Sequence, residues 1–245
     1  MWLFMRYRSQ GMRFPSPLIP GTLVRRYKRF LADVDLDDGR RVVAHCANTG
    51  AMTGLNDPGL RVWLEPNDDP KKKLDFGWRL VEMPDNQWVG IDTAVPNRVI
   101  KEALQRGEIS ELAAYERVRP EVNYGQASRV DFLLQTTGLP DAYVEVKNVH
   151  LSREHGWAEF PDAPTTRGTR HLQELSHVAQ NGCRAVMLYL VQRTDCQQFR
   201  LATDVDPAYA AAFEHALKAG VQMLCYDTII TTEEISLGQA LTVQR

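Results

Sequence analysis

The 245-residue chain carries a formal net charge of −2, with 44% hydrophobic and 24% charged residues. This is the composition of an ordinary globular protein with enough apolar material for one large or two smaller domains. The small negative net charge gives the chain as a whole no attraction to a polyanionic partner. The four cysteines are widely spaced and form no CxxC pair, which argues against a zinc knuckle or a disulfide framework and favours a reducing cytoplasm. No window approaches the roughly 20 apolar residues of a membrane span, so we expect no membrane partner.

Residues 1–95 show the pattern of short strands separated by turns. The run Thr22–Leu36 alternates loosely as a strand, and Asp37-Asp38-Gly39 predicts a turn after it. Further strands are predicted at Arg41–Cys46, Arg61–Glu65, Trp78–Met83 and Trp88–Asp92. Several short strands without a long helical period predict a small all-β barrel or sandwich. If Met12 is the natural start, residues 1–11 are an upstream extension.

From Pro96 onwards helices and strands mix, which predicts a second, α/β domain over residues 96–245. Its helices are predicted at Val99–Arg106, Ile109–Ala114, Thr165–Asn181 and Pro207–Ala219, and its strands at 129–135, 142–149, Ala185–Val191 and Val221–Asp227. The strands are expected to form a mixed sheet flanked by the helices.

Three charged residues interrupt two apolar strands of this domain. Asp131 lies within RVDFLL (129–134), and Glu145 and Lys147 alternate with Val144 and Val146. Side chains two residues apart on a strand point to the same face, so Glu145 and Lys147 lie side by side. If the two strands are adjacent and antiparallel, Asp131 and Glu145 also meet. The alternative is a solvent-exposed strand face, which is the commoner meaning of such an alternation.

Two neighbouring carboxylates repel each other, and a hard divalent cation removes that conflict. Mg²⁺ is commonly held by one or two carboxylates, water and phosphate oxygens, and Mn²⁺ can take its place. A lysine beside such a site can orient water or stabilise charge on phosphate. Asp131, Glu145 and Lys147 therefore predict a metal site that cleaves phosphodiester bonds.

The segment FPDAPTTRGTRHLQEL (160–175) predicts a helix that begins with a hydroxyl N-cap. At about 100° per residue, Arg167, His171 and Glu174 form one polar stripe beside an apolar stripe that can pack on the sheet. The alternative is a surface helix with an ion pair between Arg170 and Glu174. Asp162 can act either as a ligand or as a cap.

Asp131 and Glu145-x-Lys147 together resemble the active-site motif of PD-(D/E)XK nucleases. More specifically, the chain from Phe14 to its C-terminus resembles the sugar fermentation stimulation protein A family, on the segments LVRRYKRFLADV, AHCANTGAMTGL, PNRVI, SRVDFLL, YVEVKNVHL, FPDAPTTRGTRHLQEL and VQR. The resemblance implies an N-terminal OB-fold domain, a C-terminal nuclease-like domain and DNA binding.

The same resemblance implies supporting residues around the centre. It gives Arg167 and His171 a role in phosphate contact, with Glu174 on the same stripe. Nucleases of this kind often take a further acid from an upstream element, which makes Glu121 a candidate metal ligand. A loop glutamate facing solvent is the equal alternative.

An OB-type barrel binds nucleic acid through basic and aromatic side chains. The sequence places Arg25, Tyr27 and Arg29 on one strand face and Arg26 and Lys28 on the other. The turn Asn48-Thr49-Gly50 can bind phosphate through its backbone N–H groups. Lys71–Lys73 is either a further phosphate contact or, as we prefer, a solvated loop, and His45 is expected in the core.

Two functions follow from these features. The first is a DNA-binding protein with a Mg²⁺- or Mn²⁺-dependent nuclease-type centre, for which RNA is an alternative substrate. The second is a non-catalytic DNA-binding regulator of sugar metabolism genes. A Rossmann-type nucleotide enzyme is disfavoured, because no strand is followed by a glycine-rich phosphate loop.

Overall fold

The computed structural model describes residues 11–124 and 128–244. Their first strands are β1 (Met12–Arg13), β2 (Ile19–Tyr27), β3 (Leu31–Leu36), β4 (Arg41–Cys46), β5 (Arg61–Pro66), β6 (Phe76–Met83) and β7 (Gln87–Gly90). The later elements are helix α1 (Val95–Arg106), strands β8 (Arg117–Tyr124), β9 (Ser128–Gln135), β10 (Ala142–Val149) and β11 (Gly156–Phe160), helix α2 (Thr166–Gln180), strands β12 (Arg184–Val191) and β13 (Cys196–Leu201), helix α3 (Pro207–Lys218), and strands β14 (Gln222–Ile230), β15 (Glu234–Ala240) and β16 (Val243–Gln244). No helix in these two ranges is both long and apolar enough to cross a membrane.

Strands β2–β6 form a closed barrel. Antiparallel pairs join β2 to β3 and β5, β3 to β4, and β5 to β6, and a parallel pair between β4 and β6 closes the ring. In β3, Ala32, Val34 and Leu36 are buried between half-exposed neighbours. They belong to the same core as Trp78, which is fully buried. The predicted all-β first domain is confirmed, and it is an OB-type barrel.

The run from Thr22 to Leu36 is two strands, where the sequence predicted one. A tight turn separates β2 from β3, and Lys28 and Arg29 in it have φ angles of 49° and 66°. Two successive positive φ angles are typical of the turns that connect hairpin strands, but they usually coincide with Asn-Gly or similar pairs, and the turn here carries Lys28-Arg29 instead. Lys28 and Arg29 therefore lie in the turn and not on the faces of β2.

The second domain is built on a mixed sheet with strand order β1-β15-β14-β12-β10-β9-β8. Its centre is parallel, since β12 pairs in parallel with both β10 and β14, and β9 and β15 flank it antiparallel. Helix α1 packs in the core on one face, and α2 and α3 pack in the core on the other. The predicted α/β domain with a mixed, helix-flanked sheet is confirmed.

Several elements of this domain were not predicted from the sequence. The sequence patterns did not predict strands β8, β11, β13 and β15. Met12 and Arg13 were assigned to the first domain, but they pair with Ile235 and Glu234 at the edge of the C-terminal sheet. The chain therefore crosses from one domain to the other before β2 begins.

A buried polar junction connects the barrel to the strand that carries the charged motif. Asn48, in the loop after β4, lies with its side-chain nitrogen 3.4 Å from Nε2 of His150, just after β10. Both residues are buried. Nearby, the backbone N–H of Trp88 donates to Thr194 Oγ1 at 2.8 Å. These contacts hold the barrel loop 48–50 close to the end of β10.

Candidate metal centre and nucleic-acid surfaces

Asp131 and Glu145 lie side by side on β9 and β10. The antiparallel pairing of the two strands ends at Phe132 and Val144, and one further step in that register sets Asp131 opposite Glu145. Beyond this point the Asp131 carboxylate replaces the strand pairing, because its Oδ2 accepts a hydrogen bond of 2.7 Å from the N–H of Val146. The predicted antiparallel arrangement that brings the two acids together is present.

Asp131 is also held from the other side of the sheet. Its Oδ1 accepts a hydrogen bond of 2.7 Å from Asn97 Nδ2, at the start of α1. Asn97 was not singled out from the sequence, although it lies in the family segment PNRVI. A helix start 34 residues before Asp131 gives no periodic signal that it will meet an aspartate on β9.

Glu145 is the most enclosed charge of the centre, with 3% of its surface exposed. Its Oε1 accepts hydrogen bonds from Lys147 Nζ at 2.8 Å and from His171 Nδ1. Its Oε2 is buried and, within residues 11–124 and 128–244, has no hydrogen-bond partner. Burying a carboxylate oxygen without a donor or cation costs free energy. This oxygen is therefore the atom of the centre that is short of a ligand.

The predicted helix brings its polar stripe to this carboxylate. Thr165 caps α2 by accepting a hydrogen bond of 3.0 Å from Gly168 N, as the sequence predicted. His171 is buried and donates from Nδ1 to Glu145, while its Nε2 lies 3.3 Å from the Nε of Arg167. Because both ring nitrogens have partners within the protein, His171 serves here to orient Glu145, and its predicted contact with phosphate stays a prediction.

The charges of the centre act on one another. Burial and the neighbouring Glu145 raise the pKa of Asp131 above its usual range. For Glu145 burial acts in the same direction, but the hydrogen bond from His171 and the charge of Lys147 outweigh it, so its pKa is lowered. Without a cation, Lys147 and His171 thus favour the ionised form of Glu145, and the repulsion between the two carboxylates favours protonation of Asp131.

Glu121 does not join the centre. The sequence placed it in a loop, whereas it lies on β8 with a φ of 56° and an exposed side chain. Its carboxylate pairs with Arg129 at 2.5 Å. The left-handed backbone turns it away from the strand ladder, so the prediction of Glu121 as a metal ligand is not supported by this geometry.

Glu174 and Tyr124 extend the centre by one turn of α2. Oε2 of Glu174 and the hydroxyl of Tyr124 are both buried without a hydrogen-bond partner in the described part of the chain. Burial and the charges of Glu145 and Glu174 raise the pKa of Tyr124. Tyr124 was missed in the sequence, since a tyrosine at a strand end is usually a core residue.

The residues fit a hard cation only in part. Among residues 11–124 and 128–244, no group of three or more His, Cys, Asp and Glu side chains is arranged to hold a metal ion. Two carboxylates, one with a buried oxygen that lacks a partner, suit an ion whose remaining ligands are water and phosphate oxygens, as is common for Mg²⁺.

The predicted phosphate contacts of the barrel are largely engaged in its own structure. Arg26 donates from Nη2 to the carbonyl oxygens of Asn48 at 2.8 Å and Gly50 at 3.1 Å, so it holds the loop 48–50 in place. The N–H of Gly50 already donates to Asn48 Oδ1 at 2.8 Å. A Cβ at Gly50 would lie 2.8 Å from Asp162 Oδ2, which explains the glycine. Of this turn, Thr49 faces solvent.

The rest of the predicted basic strand is accessible but partly neutralised. Arg25 pairs with Asp33 at 2.7 Å and lies over the ring of Tyr27, 4.8 Å from its centroid. Lys28 and Arg29 are exposed in the turn. The predicted row of Arg25, Tyr27 and Arg29 on one strand face is therefore reduced to its first two members.

A second barrel surface combines aromatic and basic side chains. It is an open pocket of about 570 Å³ whose lining includes Phe30, His45, Lys72, Lys73 and Phe76. Phe30 is 46% exposed, and His45 is exposed where a core position was expected. Lys72 and Lys73, which were predicted to lie in a solvated loop, thus border an apolar surface.

Comparison with known proteins agrees with this two-domain organisation. Residues 24–91 match the SfsA N-terminal OB domain, and residues 94–234 match the sugar fermentation stimulation protein RE domain. The sugar fermentation stimulation protein homolog of Ruegeria sp. (strain TM1040) is 62% identical over 230 residues, which are 94% of this chain and 99% of the relative. That of Dinoroseobacter shibae is 62% identical over 233 residues, or 95% and 96% of the two chains.

Among solved structures, that of Pyrococcus furiosus SfsA in complex with Ca²⁺ is similar with a TM-score of 0.85 at 26% identity. The similarity covers 97% of this chain and 100% of the archaeal one. The chain therefore belongs to the sugar fermentation stimulation protein family.

Proposed function

We propose that this protein binds DNA and cleaves phosphodiester bonds at a divalent-metal centre of the PD-(D/E)XK type. The observation that carries the proposal is the state of Glu145. One of its oxygens is bound by Lys147 and His171, and the other is buried without a hydrogen-bond partner among the residues that the structure describes. A buried carboxylate of this kind is expensive to maintain for structure alone, since an apolar side chain would fill the same space at lower cost.

Each residue has a role that its contacts support. Asp131 is fixed by Asn97 and by the N–H of Val146, which sets its carboxylate before any ligand arrives. Asp131 and Glu145 would hold Mg²⁺ or Mn²⁺, and such an ion would lower the pKa of a bound water molecule and neutralise charge on phosphoryl oxygens. Lys147 has three ammonium hydrogens, and one donated to Glu145 leaves two for a phosphoryl oxygen where negative charge develops.

The Ca²⁺ complex of the Pyrococcus furiosus relative supports a cation-binding role in the family. Ca²⁺ and Mg²⁺ share a preference for oxygen ligands, and Ca²⁺ accepts more of them in a less regular geometry. An enzyme that works with Mg²⁺ can therefore hold Ca²⁺ in the same carboxylates.

Nucleic acid would be bound by the barrel, with DNA as the proposed partner and RNA as the alternative. The pocket with Phe30, Phe76, Lys72 and Lys73 offers stacking and phosphate contacts together, which is how OB-type barrels bind single strands. The four free cysteines are consistent with a cytoplasmic location.

A non-catalytic DNA-binding regulator is the second candidate, and one observation favours it. Oε1 of Glu145 is already satisfied by Lys147 and His171, and the described residues contain no three-ligand group. A scaffold that had lost turnover could keep such an internal ion pair.

Incubation with single- and double-stranded DNA and RNA, in Mg²⁺, Mn²⁺ or EDTA, separates the two functions. Cleavage that needs the cation and disappears in Lys147→Met is expected for the enzyme. Lys101→Ala is the matched control, because Lys101 is an exposed lysine of α1 that is not part of the motif. Binding without cleavage of any of the four substrates would leave the regulator as the function.

A further inference from the structure

A groove runs along α2 directly beside the proposed centre. Its volume is about 660 Å³, within the range typical of small-molecule sites. Tyr124 and Tyr143 line the sheet side, and Arg170, Glu174 and His177 line the helix side. Glu174 lies three residues after His171, which binds Glu145, so the groove begins within one helical turn of the centre.

The groove contains two buried polar atoms that form no hydrogen bond of good geometry within the described part of the chain. Tyr124 is 8% exposed, and neither its hydroxyl nor Oε2 of Glu174 has such a partner among residues 11–124 and 128–244. The two side chains lie close enough that hydrogen bonding to Glu174 contributes to the raised pKa of Tyr124. A phenol and a carboxylate that are only loosely paired can turn to a ligand, to which the phenol donates a hydrogen bond and from which the carboxylate oxygen accepts one.

The charge and aromatic character of the groove narrow the ligand further. Arg170 forms no ion pair in the described part of the chain, although Glu174 lies one turn away on the same helix, so its guanidinium is available to an anion. The rings of Tyr124 and Tyr143 lie 5.8 Å apart at 38° and present an aromatic wall. The side-chain amides of Asn123, Gln173 and Asn181 complete the lining. Aromatic faces, amides and one free arginine match a nucleobase and its phosphate.

We propose that this groove binds one unpaired nucleotide of the substrate strand, with its base against Tyr143 and a phosphate at Arg170. The proposal rests on the nucleic-acid cleavage proposed above and adds that the strand must be single, or opened, at the site of cleavage. A base that is still paired in a duplex has its hydrogen-bonding edge occupied by its partner and is stacked between its neighbours, so it cannot present that edge to Tyr124 and Glu174.

Cys183 provides a probe of the groove that does not depend on turnover. It lies in the lining and is partly exposed, whereas Cys46, Cys196 and Cys225 are buried. The rate of maleimide labelling of Cys183, followed by intact mass spectrometry in EDTA, therefore reports whether the groove is occupied. A mixed-sequence DNA strand of about 12 nucleotides and its blunt duplex are the probes.

At ten times its dissociation constant, the single strand should slow labelling about tenfold by mass action, and the duplex should leave the rate unchanged. Arg170→Ala should lose most of this protection, and Lys101→Ala should keep it. Three results would each overturn the inference. The duplex could protect Cys183 as well as the single strand does, or the single strand could bind by fluorescence anisotropy without protecting Cys183. The third is that the single strand does not bind at all.

The outcome is separable from that of the proposed function. If the single strand protects Cys183 but the protein cleaves none of the substrates, the proposed cleavage is refuted and the nucleotide-binding groove is supported. If cation-dependent cleavage is unaffected in Arg170→Ala and Cys183 is not protected, the proposed cleavage is supported and the nucleotide-binding groove is refuted.

Discussion

Replacing Glu145 by glutamine tests the metal centre most directly, because the amide preserves the size of the side chain and removes its charge. In the metal-free protein the carboxylate is 3% exposed and accepts hydrogen bonds from Lys147 and His171. Removing one member of a buried ion pair costs about 3–5 kcal/mol. The lower end, about 3 kcal/mol, applies here because the Lys147 side chain keeps 12% exposure and Asp131 is relieved of a repulsive neighbour.

Thermal unfolding gives the corresponding shift. At about 2–4 °C per kcal/mol for a chain of this size, the Tm of the C-terminal domain should fall by about 6–12 °C in EDTA. A cation present at a hundred times its dissociation constant stabilises the folded state by about 2.7 kcal/mol. Wild type should therefore gain about 5–11 °C in saturating Mg²⁺ or Mn²⁺, and Glu145→Gln should gain nothing.

His177→Gln is the matched control, because His177 lies on the same helix and is exposed outside the proposed ligand set. It should show the wild-type response to the cation. The same cation-induced shift in wild type and Glu145→Gln would mean that the ion binds elsewhere. No shift in wild type at any concentration would remove the metal centre altogether.

Three further predictions concern the neighbouring residues. Because burial and Glu145 raise the pKa of Asp131, the folded protein binds a proton at Asp131 more tightly than the unfolded chain does. In urea titrations, the stability of metal-free wild type relative to Asp131→Asn should therefore increase as the pH falls from the raised pKa toward the usual 3.8. A stability difference that does not change with pH would refute this reasoning. Lys72→Ala combined with Lys73→Ala should weaken DNA binding and reduce the slope of log affinity against log salt by about 1.4–1.8 in anisotropy titrations, whereas an unchanged slope would exclude this pocket. Arg26→Ala should lower barrel stability by about 2 kcal/mol in calorimetry, through loss of its charged hydrogen bonds to the loop 48–50, and should leave that salt slope unaltered.

Local patterns in the sequence were sufficient for many of the elements and for the positions of the three charged residues on β9 and β10. Alternation on β9 and β10 placed Asp131, Glu145 and Lys147 correctly, since side-chain direction on a strand depends only on position along it. The Thr165 cap and the helical period likewise placed His171 on a polar stripe beside the apolar stripe that packs on the sheet, and from there it reaches Glu145.

What the tertiary structure decided is which polar groups have partners. Arg26 is basic in any sequence-based count, but its contacts with Asn48 and Gly50 commit it to the barrel. The positive φ angle at Arg29 removes this residue from the strand face on which alternation placed it, and the positive φ angle at Glu121 directs its side chain away from the centre. Neither position has the glycine or asparagine that usually signals a positive φ angle, and the contacts of Arg26 depend on residues distant in the chain.

The sequence by itself determined two domains, their fold classes and a pair of acids with a lysine on adjacent strands. Only the folded chain brought Asn97 to Asp131 and left Oε2 of Glu145 buried with no hydrogen-bond partner in residues 11–124 and 128–244. It also set Tyr124 beside α2, where a groove adjoins the centre. Strand periodicity is a property of neighbouring residues, whereas hydrogen-bond satisfaction is a property of the complete three-dimensional packing.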